Sequence, residues 1–206
     1  MRTIGKAEVQ KDVKSSDPDR LQKLGDYFAS VNRYEKAESC YQKAIEIDPE
    51  NPLVYVGLAD IALVRGDRER AERYLDNALE LDPECSAAYA QMAKLARKTG
   101  NYPLAFDAYL RCLKLDTDNL NALLGLFQVS CQMGSFAKVT FYLEQYLNSH
   151  PDDTSVMFCL GALYKKDNRL LSAQQILNSL LKLDPGNQDA KNLLEEIEHN
   201  IFQKLS

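Results

Sequence analysis

The chain has no tryptophan, only two histidines among its 206 residues, and five cysteines with no C-x-x-C pair. An odd cysteine count in that arrangement builds neither a disulfide framework nor a zinc site. Cys40, Cys85, Cys112, Cys131 and Cys159 therefore read as small buried hydrophobes of a reducing compartment. No stretch approaches the roughly eighteen unbroken apolar residues of a membrane span. The opening segment, MRTIGKAEVQKDVKSSDPDR, has a charge every few residues and no apolar centre for a secretory leader. An excess of positive charge is also missing. Lys and Arg number 25 against 30 Asp and Glu, and the net charge of -5 argues against a nucleic-acid partner. P-loop, GxGxxG, HExxH and GxSxG motifs are all absent. His150, before a proline, and His199 read as helix-end or surface residues, not as general bases. The expectation is a non-catalytic, cytoplasmic protein without cofactor or metal and without membrane insertion.

Proline (7) and glycine (9) are scarce, yet their placement is regular. Pro49, Pro83, Pro151 and Pro185 fall on a lattice of 34 residues, and Thr117 occupies its vacant node. Asn32, Gly66, Gly100, Gly134 and Asn168 form a second series on the same lattice. These residue types tolerate a left-handed backbone, so each marks a tight turn after a helix. Ala37, Ala71, Ala105, Val139 and Ala173 form a third, where small side chains let two helices approach. Between these marks the apolar residues recur at three- and four-residue steps, as in Leu53, Val56, Ala59 and Leu63. Asn51, Asn119, Asp153 and Asn187 stand where a first helix begins; Asp67, Asn101 and Ser135 stand where a second begins. Each unit is read as an antiparallel helix pair with a sharp turn.

This pattern resembles the tetratricopeptide repeat (TPR) family over residues 18–187. The first unit supplies Leu21, Leu24, Gly25, Phe28, Ala37, Tyr41, Ala44 and Pro49 at the family's marked positions, and the second Tyr55, Leu58, Ala59, Ala62, Ala71, Leu75, Ala78 and Pro83. The resemblance implies an all-α fold, an α-solenoid of five TPR helix-turn-helix repeats (18–51, 52–85, 86–119, 120–153, 154–187) with a C-terminal capping helix (188–206). Residues 1–17 are expected to be a flexible N-terminal tail. The fourth unit departs from the pattern. It puts Phe127, Val139 and Tyr146 where small residues are wanted, which predicts a wider helix pair around 120–153.

The resemblance also implies that first helices line a concave groove holding a peptide segment or amphipathic helix of a partner protein. Reading the inward positions assigns partner contact to Leu53, Val56, Gly57, Asp60, Lys94, Arg97, Lys98, Leu124, Gln128, Phe158 and Lys165. Gly57 and Gly125, in mid-helix, either leave room for a partner or reflect neutral drift. Lys94, Arg97, Lys98, Lys165 and Lys166 suggest an acidic ligand, with solvated helix-end lysines as the plainer reading. The family's two-carboxylate clamp is not matched, because its places hold Gln22, Asp26, Gly57, Ala87 and Gln91. The leading expectation is a protein-interaction adaptor. The alternative is a self-assembling homo-oligomeric scaffold, or an assembly or secretion co-chaperone, suggested by the tail and by Leu193 and Phe202.

Overall fold

Two of the recurring sequence signals, the prolines and the Gly or Asn series, set the helix ends, and the computed structural model, which describes residues 17–205, places them where the chain turns. Among the described residues there are eleven helices and no strand. In chain order they are α1 (Pro18–Ser30), α2 (Tyr34–Ile47), α3 (Pro52–Arg65), α4 (Arg68–Leu81), α5 (Ser86–Lys98), α6 (Tyr102–Leu115), α7 (Leu120–Met133), α8 (Ala137–Ser149), α9 (Thr154–Lys166), α10 (Leu170–Leu183) and α11 (Gln188–Leu205). The tail expected at 1–17 lies outside the described residues, apart from Asp17, whose carboxylate caps α1.

The turns between paired helices all use the left-handed backbone, at φ 78, 76 and 68° for Gly66, Gly100 and Gly134 and 58 and 59° for Asn32 and Asn168. Ala37, Ala71, Ala105, Val139 and Ala173 are each fully buried, as close helix approach requires. Of the expected caps, Asn51, Asp67, Asn101, Asn119, Asp153 and Asn187 accept from backbone N–H groups at 3.0–3.3 Å. Ser135 does not cap its helix. α8 starts one residue later than that assignment needs, Phe136 takes the N-cap place, and no side chain satisfies the first turn.

The chain divides into two compact units, one ending at Leu115 and the other beginning at Asp116. In the N-terminal unit, Tyr41, Phe28, Leu21 and Leu24 pack with Val54, Leu58 and Ile61, tying α1 and α2 to α3. Val56, Ala59, Leu75 and Ala78 pack with Cys85, Ala88 and Leu95, tying α3 and α4 to α5. Each unpaired helix face is thus covered by the following repeat. Glu38 joins α2 to the next repeat by ion pairs with Arg65 at 2.7 Å and Arg70 at 3.2 Å.

In the C-terminal unit, the backbones of α7 and α8 come close at far fewer positions than those of the other helix pairs. Val139 and Tyr146 are buried in that pair, and their bulk holds the backbones apart where alanine would admit contact. α11 lies against α10 with Ala190 and Ile197 fully buried, Leu194 and Ile201 half-buried, and Glu195 and Glu198 facing water. No described helix is long and apolar enough to cross a membrane.

Candidate functional site

The first helices of three successive repeats, α1, α3 and α5, lie side by side in the N-terminal unit. Residues spaced three or four apart fall on one helical face, so each helix presents a row to the same side. Together with α2 they enclose an open hollow of about 490 Å³. α1 contributes Gln22, Asp26, Ala29 and Ser30; α3 contributes Leu53, Val56, Gly57 and Asp60; α5 contributes Ala87 and Gln91. The wall combines apolar patches with a few polar groups, which is the usual make-up of a recognition site.

Tyr41 of α2 forms the floor, with 1% of its surface exposed. Its ring lies between two helices that have no side chain to obstruct it. A methyl group added at Gly25 would fall 2.5 Å from Cε1, and one at Gly57 would fall 2.4 Å from Cζ. This corrects one expectation. The space left by Gly57 is filled by the chain's own tyrosine and is not an approach for a partner. Gly125, in α7, is buried as well.

The Tyr41 hydroxyl donates to Asp26 Oδ1 at 2.6 Å. Gln22 Nε2 donates to Asp26 Oδ2 at 3.4 Å and accepts at Oε1 from Asn51 Nδ2 at 3.2 Å. Burial holds the phenol protonated well above the ordinary tyrosine range, reinforced by the bond to Asp26 and the nearby charges of Asp26 and Asp60. The Asp26 carboxylate is therefore fixed from below by a group that stays a donor.

The cations expected to make the inner face basic are largely engaged. Lys94 Nζ is 2.8 Å from Asp60 Oδ1. Lys165, in the C-terminal unit, pairs with Glu196, and Lys166 stands 5.3 Å from the Phe136 ring centroid. Lys98 is exposed at the end of α5. Arg97 is half-buried, and its Nε is enclosed without a hydrogen-bond partner. Gln91 Oε1 is also enclosed without a partner.

Of the eleven residues assigned to partner contact, the hollow brings together Leu53, Val56, Gly57 and Asp60, with Lys94 joined through Asp60. Leu124 and Phe158 are half-buried and Gln128 exposed on α7 and α9 of the C-terminal unit. Tyr41, a family-marked position of the first repeat, is not among those eleven. The signal that could have singled it out is the pair Gly25 and Gly57, one on each flanking first helix.

His150 is a helix-end residue. Its ring stacks on Tyr146 at 4.2 Å between centroids, and its backbone N–H caps α8 by donating to Tyr146 O. Among the described residues no group of three or more His, Cys, Asp or Glu side chains is arranged to hold a metal.

Two tetratricopeptide repeat models match the chain, over residues 29–95 and 86–119. No curated protein matches it. Among solved structures, the chain is similar to YrrB, described as a TPR protein with an unusual peptide-binding site, at TM-score 0.64 and 18% identity, covering 89% of this chain and 96% of that one. It is similar to pilF of Pseudomonas aeruginosa at TM-score 0.73 and 21% identity, covering 90% and 84%. Yeast Tom70 matches at TM-score 0.71 and 17% identity, over 98% of this chain and 45% of that one. At these identities the likeness is one of fold.

Proposed function

Residues 29–119 belong to the tetratricopeptide repeat family, and from that premise we propose that the protein is an interaction scaffold holding an extended segment of a partner protein in the hollow of its N-terminal unit. The observation that carries this reading is the hollow itself, in which α3 and α5 turn Leu53, Val56 and Ala87 toward one open space beside the hydrogen-bonding Gln22 and Asp26 of α1. Leu53 is 44% exposed at its edge, an apolar surface available for burial. YrrB, which has this fold, is described as having a peptide-binding site.

Leu53→Gln removes the apolar surface without adding charge. The expected outcome is loss of the co-purifying partner with unchanged circular dichroism. Full retention of the partner by this variant would remove the hollow from the binding site.

A second reading, self-association, is favoured by the C-terminal unit. Leu171 and Phe202 are 73% and 71% exposed. The Gln174–Glu198 hydrogen bond between α10 and α11, at 3.1 Å, sets a register that puts both residues at the same end of that pair. Light scattering that gives a monomer mass at all concentrations would dismiss it.

A further inference from the structure

We infer that the hollow selects a segment carrying a lysine or arginine between apolar residues, a choice of ligand opposite in charge to the acidic one expected from composition along the repeat. The inference rests on the peptide-binding reading above and deepens it.

The argument is an account of donors, acceptors and charge on one wall. The charged residues lining the hollow are Asp26 and Asp60. Lys94 is committed to Asp60, so among the described residues Asp26 has no cationic partner at the wall, and its oxygens receive the neutral donors Tyr41 and Gln22. The Ser30 hydroxyl is turned away from the hollow's needs, donating to Tyr27 O at 2.8 Å. Gln91 Oε1, enclosed without a partner among the described residues, is closed to a ligand as well. Asp26, in contrast, is exposed, and its two oxygens keep lone pairs that Tyr41 and Gln22 do not fill.

Two unmet demands therefore coincide: acceptors in surplus and one carboxylate unneutralised. Ammonium and guanidinium groups are donors only and carry positive charge, so they answer both. A carboxylate side chain answers neither and is repelled by Asp26. The apolar side chains of Leu53, Val56 and Ala87 beside these groups favour aliphatic neighbours on the ligand. Tyr41 is the positioning residue here, since its bond to Oδ1 fixes the carboxylate that meets the ligand.

The test is isothermal titration of the full chain with a blocked peptide, acetyl-Ala-Leu-Lys-Ala-Leu-Lys-Ala-Leu-Lys-Ala-amide, and with its counterpart bearing Glu in place of Lys. The lysine peptide is expected to bind at least about tenfold more tightly, and to weaken as salt is raised. Asp26→Asn, which keeps an acceptor for Tyr41, should weaken the lysine peptide on the order of tenfold, with the melting curve unchanged. If that variant melts early, Asp60→Asn serves as the second carboxylate probe and should weaken the same peptide. Equal or tighter binding of the glutamate peptide, no response to either carboxylate substitution, or no binding of either peptide overturns the inference. Leu53→Gln separates the two readings. A glutamate peptide that binds and is lost on this substitution leaves the hollow as the site and refutes only its charge preference. Binding indifferent to Leu53→Gln refutes the hollow as well.

Discussion

Tyr41 is where a packing position and a recognition position become the same residue. Its ring needs glycine on both flanking helices, and its hydroxyl needs Asp26. In an unhindered helix, Gly→Ala gains about 1 kcal/mol. At Gly57 the new methyl meets a ring that is buried and hydrogen-bonded and so cannot turn aside. Gly57→Ala should therefore destabilise the N-terminal unit by about 1–3 kcal/mol in chemical denaturation. In a Tyr41→Ala background the same change should become neutral or favourable. An unchanged cost there would mean that the ring is not the obstacle.

Titration supplies a second test at this scale. Burial lifts the Cys159 thiol from 9.0 to about 11, aided by the charges of Cys131 and Asp153. Burial lifts the Tyr164 phenol to about 12, aided by its 2.6 Å bond to Glu144. The folded state keeps both protons longer than the unfolded state does. Their contribution is thus intact below about pH 9 and is lost as pH rises toward 11 for the thiol, and between about 10 and 12 for the phenol. Thermal melts at pH 8, 10 and 11 should show α9 weakening over that window, and Cys159→Ala with Tyr164→Phe should flatten the fall. Melting temperatures equally steep in pH for the double variant would exclude these groups as the cause.

At the level of elements, identical signals produce unequal helix pairs. Every pair has its turn residue in the left-handed region, yet α7 and α8 approach less closely than the rest. The cause lies in their contact residues. Val139 and Tyr146 occupy places held by alanine in the first two repeats, and Phe136 begins α8 without a side-chain cap. Fewer close contacts and an open first turn lower the free energy of local opening. Hydrogen exchange is expected to be faster across α7 and α8 than across α5 and α6, whose backbones meet along their length. Equal protection in the two pairs would show that side-chain packing fully replaces the lost backbone proximity. α11 illustrates the opposite case, with a buried stripe on α10 and a charged outer side.

For the molecule as a whole, the division into two units falls at Leu115 and Asp116, beside Thr117, the one lattice place without proline. Each unit has its own buried side chains, so damage to one core should stay local. Leu123→Ala, at a fully buried site of α7, should cost about 2–5 kcal/mol. Amide protection is expected to fall across residues 120–205 and persist in α3 to α5. A uniform loss over all eleven described helices would establish a single cooperative unit instead.

The sequence by itself determined the helix pairs, their turns and their burial pattern, because these depend on local signals: positive φ at Gly or Asn, small residues at contact positions, and caps one residue before a helix. Helical periodicity put Leu53, Val56 and Asp60 on one side of a helix, and the family resemblance implied that this side faces inward. Only the tertiary structure decided the character of the site. Whether Lys94 is a free charge depends on Asp60, 34 positions away, and whether Gly57 is open space depends on a tyrosine from the preceding repeat. The 34-residue lattice places Asp60 and Lys94 at the same position of successive repeats, but it does not say that their side chains meet. Charge and vacancy are properties of what lies across a helix interface, and that is defined only when the repeats have stacked.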